Sequence, residues 1–351
     1  MEVGEEEPSR TIIAKMAKAY RRPLIAFYLA EPPRTGYRGQ DFRTLPGKER
    51  FNPELDALAR DIKARQGLIR SMLEDEEARP LDFIGSATME EPVQRLAARI
   101  ADRLRFSMER FRATKTPEEA FAYLRERIED NGVYVLLLGN LGSFHTKIPV
   151  EVFRGFALAD SIAPLIVVND QDARTAWSFT ALHELVHLWL GQTGVSGTDA
   201  ESEIERYCND AAGEFLLPES EIRRLANVAH LSAATIAEQI GQFAEAHRVS
   251  RAMVVYKLYR TGIIGKTTLA TLDTRFRQEW LHYKQRQAEK AKKAEGGPNY
   301  YVVRRHRMGT ALLGLVRRSL DEGTITYTKA GRVLGVKPRN VEPLLSMRGA
   351  G

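Results

Sequence analysis

Cysteine is almost missing from this chain: Cys208 stands alone among 351 residues, so no disulfide can form within it. No run of 18 apolar residues occurs, so no membrane-spanning helix is expected. The first eight residues, Met-Glu-Val-Gly-Glu-Glu-Glu-Pro, lack the apolar stretch of a secretion signal. There is no glycine-rich phosphate loop and no internal repeat. These absences lead to the expectation of a protein in the reducing cytoplasm with no membrane partner. Hydrophobic content of 43% and charged content of 28% are ordinary for globular domains, and the length suggests roughly two or three of them.

Histidine is also sparse, with 7 in the chain, yet His183 and His187 fall in one short segment, Phe179-Thr-Ala-Leu-His-Glu-Leu-Val-His-Leu-Trp-Leu-Gly191. An H-E-x-x-H pattern should arise by chance in roughly one such chain in a hundred. At about 100° per residue, His183, Glu184 and His187 share one sector of a helix. Leu182, Leu185, Val186, Trp189 and Leu190 fill the rest of its circumference. A helix this apolar is expected to be buried, and three buried polar side chains need a common partner. One divalent cation with a water satisfies all three: the imidazoles ligate the ion, and the Glu184 carboxylate serves as general base. Zinc is the expected ion.

A catalytic zinc needs a third protein ligand. The next amphipathic segment, Asp199 to Pro218, supplies Glu201, Glu203 and Glu205 near its start. Glu205 borders the apolar face formed by Cys208, Ala212 and their neighbours, which favours it, with Glu201 next. Asn209, one turn later, is placed to hydrogen-bond and orient a ligating histidine. Cys208 reads as a small buried side chain, with a thiolate or redox role toward the metal as the alternative.

The paired patterns H-E-x-x-H and E-x-x-C-N-x-x-A-x-E-F-L-L-P resemble the ImmA/IrrE metallopeptidases, a compact gluzincin-like family. The likeness extends upstream through Val152–Asp160, Ala163–Asn169, Arg174, Phe179 and Thr180. It implies His183, His187 and Glu205 as metal ligands, Glu184 as base and Asn209 as the orienting group. It further implies a protein substrate: a helix-turn-helix repressor, cut in a bacterial stress or mobile-element response. No oxyanion donor follows from the motif; Arg174, Tyr207 and His230 are the candidates.

The expected fold is α+β and mostly helical, with a small-sheet peptidase core at 116–220. Strands are predicted at Val133–Leu138, Phe153–Ala159 and Leu165–Val168. Residues 1–45 resemble the remnant of an XRE-type helix-turn-helix domain plus a linker, with a helix over 9–22 and a second short one ending before Pro32. Residues 46–115 read as helical, with helices at 53–75 and 91–111. Residues 221–283 hold a helix-turn-helix-like pair, Thr235–Ser250 and Arg251–Gly262, readable as a DNA-reading element, a docking element or a plain bundle. Residues 284–351 read as a basic tether at 284–299 followed by a last helical unit. Charge is uneven: residues 248–351 carry 22 Lys/Arg against 7 Asp/Glu, while residues 1–247 carry 30 against 39. The basic C-terminal third leaves DNA contact open, as does the aromatic and cationic run Tyr300–Arg307.

The main expectation is a zinc-dependent endopeptidase. The rivals are a regulatory or antitoxin-like binding protein whose metal is structural, closed by a fourth ligand such as Cys208, and a metal-dependent hydrolase of a non-peptide substrate.

Overall fold

The computed structural model describes residues 8–19, 24–29, 52–196, 203–293 and 299–346. The helix α1 (Arg10–Ala19) starts at the expected cap, with Ser9 Oγ accepting from the Ile12 amide at 3.4 Å. The second short helix of the expected remnant is instead one 3-10 turn, Leu24–Phe27. Tyr20 and the linker at 34–50 lie outside the described residues.

Local chemistry sets the next boundaries. Asn52 caps α2 (Pro53–Asp75), accepting from the Leu55 amide, and proline opens the helix. The single helix expected over 91–111 is broken into α3 (Val93–Leu104) and α4 (Met108–Arg112). Arg105 adopts a left-handed φ of 47° and Ser107 caps α4. The break turns Phe106 inward, where its ring meets Phe111, Tyr123 and Phe215 at 5.5, 5.2 and 4.9 Å. Aromatic burial there outweighs helix continuity. Thr116 and Pro117 then open α5 (Pro117–Glu129).

The strands are β1 (Tyr134–Leu137), β2 (Gly155–Leu158) and β3 (Leu165–Val168). After α6 (Arg174–Trp189) comes β4 (Gly194–Ser196), too short to leave a periodic signal in the sequence. The sheet order is β1-β3-β2-β4. β1 runs parallel to β3, pairing Tyr134 with Leu165, while β2 is antiparallel to both β3 and β4, pairing Gly155 with Val168 and with Ser196. Every residue of β1, β2 and β3 is buried. That explains their continuously apolar sequences and requires cover on both faces.

One face (Val135, Leu137, Ala157, Ile166, Val168) packs against α3, α5 and α6 and against the helices that follow. These are α7 (Glu203–Leu216), α8 (Glu219–Ile222), α9 (Ala233–His247), α10 (Arg251–Arg260) and α11 (Lys266–Lys293). A 3-10 helix, Arg223–His230, joins α8 to α9. The tether expected from residue 284 is a correction: α11 continues as helix to Lys293. Its Gln, Ala, Glu and Lys residues are strong helix formers, and charge density alone does not oppose a helix.

The opposite face (Leu136, Phe156, Leu158, Leu165, Val167) is covered by both ends of the chain. Leu58, Ile62, Ile69 and Met72 of α2 pack there beside α12 (Tyr300–Met308), α13 (Thr310–Asp321), α14 (Tyr327–Leu334) and α15 (Val341–Ser346). The sheet is therefore sandwiched between two helical layers. The result is an α+β, mostly helical fold in which the C-terminal unit belongs to the core's back wall. No helix among the described residues is long and apolar enough to cross a membrane.

Candidate metal centre

The helix α6 lies at the middle of the front layer, and from Ala176 to Trp189 only Phe179 is not fully buried. Its histidines therefore sit under the α7 layer rather than at the surface. His183 Nε2 and His187 Nε2 are 3.1 Å apart. Glu205, in the first turn of α7, places Oε2 at 3.2 Å from His183 Nε2 and Oε1 at 3.3 Å from His187 Nε2. The histidine side chains are 5% and 4% exposed and Glu205 is 21% exposed, so the carboxylate closes the solvent side of the cluster. Among the described residues these three form the group whose donor atoms converge, all within 4.8 Å of one another. Glu203 is exposed on the other side of α7, and Glu201 lies outside the described residues.

The donor set fits a zinc ion. Tetrahedral zinc with ligands at about 2.0–2.1 Å has donor–donor edges of about 3.3 Å, close to all three separations here. Two imidazoles and one carboxylate are the ligand types of an open, catalytic zinc site rather than a closed structural one. Cys208 is buried one turn beyond Glu205, faces His187, and is not one of the converging donors.

Electrostatics make the two histidines unequal. Burial holds His183 below its ordinary value of 6.5, despite Glu205 and Asn209 beside it. His187 is also buried, but Cys208 and Glu205 outweigh burial and raise it well above that value. Burial would raise Glu205, yet the two histidines override this and bring it down to about 2. Burial pushes the Cys208 thiol up.

Glu184 is fully buried on the sheet side of α6, where its charge bears on His187 and Cys208. Sequence reading missed the residue that accommodates it. A side-chain carbon on Gly155 of β2 would stand 2.7 Å from Glu184 Oε1 and 2.7 Å from Thr180 Cγ2. The available signal was a lone glycine at the start of an apolar strand, which marks close approach of another element.

The other candidates are engaged elsewhere. Arg174 pairs with Glu118 of α5 at the opposite end of α6. Tyr207 Oη donates to the Glu91 carbonyl at 2.9 Å. The His230 side chain is outside the described residues. In the helix pair α9–α10, Lys257 binds Glu214 at 2.8 Å and Arg260 binds Asp210 at 2.5 Å on α7, while Arg251 binds Glu279 of α11 at 2.6 Å, so the cations of α10 are spent on its neighbours. The Tyr300–Arg307 run is α12: Arg307 pairs with Asp170 at 2.6 Å, and Arg305 Nη1 donates to the Leu344 carbonyl at 2.8 Å.

A buried H-E-x-x-H helix closed by a carboxylate from the following helix is a metallopeptidase-type centre. Residues 140–259, which hold β2, β3, α6, β4 and α7 to α10, match the family model described as the IrrE N-terminal-like domain, Peptidase M78. That segment belongs to the ImmA/IrrE family of metallopeptidases. No curated protein and no solved structure matches the chain.

Proposed function

We propose that this protein is a zinc-dependent endopeptidase that cleaves a helix-turn-helix transcriptional repressor in a bacterial stress or mobile-element response. The observation that carries the reading is the convergence of His183, His187 and Glu205 within 4.8 Å, beside the buried Glu184, in an IrrE-like segment. His183, His187 and Glu205 would hold the ion. Zinc supplies a Lewis acid that polarises the scissile carbonyl and makes water acidic near neutrality.

The chain's own residues do the remaining work. Glu184, shielded from bulk water, accepts the proton of the attacking water on a carboxylate oxygen and delivers it to the leaving amine. Gly155 and Thr180 leave the space in which that carboxylate sits. Asn209 lies beside His183 and Cys208 beside His187, where they would orient the imidazoles once an ion is bound. Exclusion of Cys208 from the converging donors supports an open site over a structural ion.

The deciding experiment is incubation of the purified, metal-analysed protein with the repressor encoded beside its gene, with and without chelator. Glu184→Gln should retain zinc and lose cleavage. Cleavage by that variant, or cleavage unaffected by chelator, would sink the assignment.

A further inference from the structure

We propose that residues 327–346 form a helix-turn-helix that binds duplex DNA, an activity independent of the peptidase reading. The first helix of the pair is α14, which ends at Gly335 in the left-handed region with φ 62°. The Val336 amide returns to the Gly331 carbonyl at 2.9 Å, so the chain reverses at once. A short 3-10 turn, Pro338–Asn340, then leads into α15. The crossing is close: a side-chain carbon on Gly331 would stand 2.8 Å from the Val336 carbonyl oxygen and 3.3 Å from the Pro338 nitrogen. A small residue in mid-helix, a left-handed glycine four residues later and a second helix packed across the first are the architecture of this motif.

The pair is held from behind. Ala330, Val333, Leu334, Val341 and Leu344 are fully buried in the back layer with α2 and α13. Arg305 of α12 and Arg317 of α13 donate to carbonyls at the end of α15, Leu344 and Leu345. The residues left exposed are Tyr327 and Thr328 at the start of α14, Arg332 farther along it, Lys337, Pro338 and Arg339 in the turn, and Glu342 and Ser346 on α15. Tyr327 Oη donates to Glu342 Oε2 at 3.0 Å, which brings the start of the first helix onto the outer side of the second.

Charge identifies the partner. Lys329, Arg332, Lys337 and Arg339 make no ion pair among the described residues. The one acidic side chain of residues 327–346, Glu342, is occupied by Tyr327. The contrast with α9–α10 is direct: there the cations of the second helix are neutralised, Lys257 and Arg260 by α7 and Arg251 by Glu279 of α11, and Met253, Val254, Val255, Lys257 and Leu258 are buried. Of these two pairs, α14–α15 alone leaves the cations of its turn, Lys337 and Arg339, without an ion pair among the described residues. Cations in the turn that leads into such a helix reach the phosphates flanking a major groove.

The test is fluorescence anisotropy of the full chain on a labelled random duplex of about 30 base pairs, titrated from about 50 mM to about 200 mM salt. Affinity should fall steeply with salt. The exposed double substitution Lys337→Ala/Arg339→Ala should weaken binding about tenfold or more and lower the salt slope by about 2. Its melting temperature and zinc content should match those of the parent. Lys284→Ala/Arg286→Ala, on the basic helix α11, should bind as the parent does. Absence of binding at low salt, an unchanged affinity in the Lys337/Arg339 variant, or loss in the α11 variant instead would each overturn the proposal. So would equally tight capture of polyglutamate, which would point to an acidic protein partner.

Discussion

Gly155 of β2 and Glu184 of α6 approach so closely that the strand has no room for a side chain: a carbon added to Gly155 would meet Glu184 Oε1 at 2.7 Å and Glu184 Cγ at 3.0 Å. The strand backbone is thereby one wall of the carboxylate's pocket. Gly155→Ala should push Glu184 out of place while leaving His183, His187 and Glu205 on their own helices. The expected result is full zinc content with kcat reduced about a hundredfold, because sub-ångström to ångström displacements of a catalytic group cost that much. Metal analysis alongside initial-rate kinetics checks it. Normal kcat in the variant would refute the role, and a Thr180→Ser change, which removes the neighbouring methyl, should restore part of the loss.

Ion uptake should depend on pH. His187 is raised well above its ordinary 6.5 in the metal-free protein, so its favourable proton is fully bound below 6.5 and is given up as pH rises through the higher folded value. An ion taken up by the cluster displaces that proton, and apparent zinc affinity should climb between about pH 6 and about pH 8. Glu205 has the opposite sign. Its lowered carboxyl stabilises the fold above its ordinary 4.5 and loses that contribution only as pH falls toward about 2. Acid release of zinc should thus follow histidine protonation, long before Glu205 titrates. Calorimetry in buffers of different ionisation enthalpy reads the released proton directly; affinity independent of pH would contradict the assignment.

Arg125 and Glu129 form a buried ion pair at 2.9 Å that ties the C-terminal layer to α5. Arg125 also donates to the carbonyls of Val135, His306 and Arg307, and Glu129 Oε2 accepts from the Thr310 and Ala311 amides at the start of α13. Glu129→Ala strands a buried guanidinium and should cost about 3–5 kcal/mol, whereas replacing both partners by leucine should recover only the part due to the stranded charge, because the carbonyls and amides they bind are left without partners. Denaturant titrations of both variants decide this; equal losses would show that the pair is not coupled.

The back layer should be indispensable to the peptidase. Removal of residues 299–351 would uncover Leu136, Phe156, Leu165 and Val167 on the sheet's second face. The truncated protein is expected to aggregate or to lose its cooperative transition, and Leu312→Ala, at a site 1% exposed, should cost about 2–5 kcal/mol. A soluble truncation melting at the parental temperature would show that the front half folds alone.

Tyr207 sits two residues from Glu205, yet its hydroxyl is committed to the Glu91 carbonyl. Tyr207→Phe should therefore change kcat only a few-fold while costing about 1 kcal/mol of stability. A loss of a hundredfold or more in kcat would instead make it an oxyanion donor.

Local chemistry determined much of this protein in advance. Ser9 and Pro117 announce helix starts, the apolar runs at 134–137 and 165–168 read as buried strands, and an H-E-x-x-H pair on an otherwise apolar helix points to an ion. These signals depend on residues within a turn or two of each other, so they survive in a linear reading. The rest required the folded chain. Glu205 was favoured by the apolar face it borders, but the approach of its carboxylate to both histidines follows from how α7 crosses α6. The break at Arg105 follows from where Phe106 must point. Which helix pair keeps its cations free was decided by partners outside the pair: Glu214, Asp210 and Glu279 neutralise α10, and among the described residues no carboxylate pairs with Lys337 or Arg339. Distant contacts of that kind are set by packing two layers on one sheet, and no local spacing encodes them.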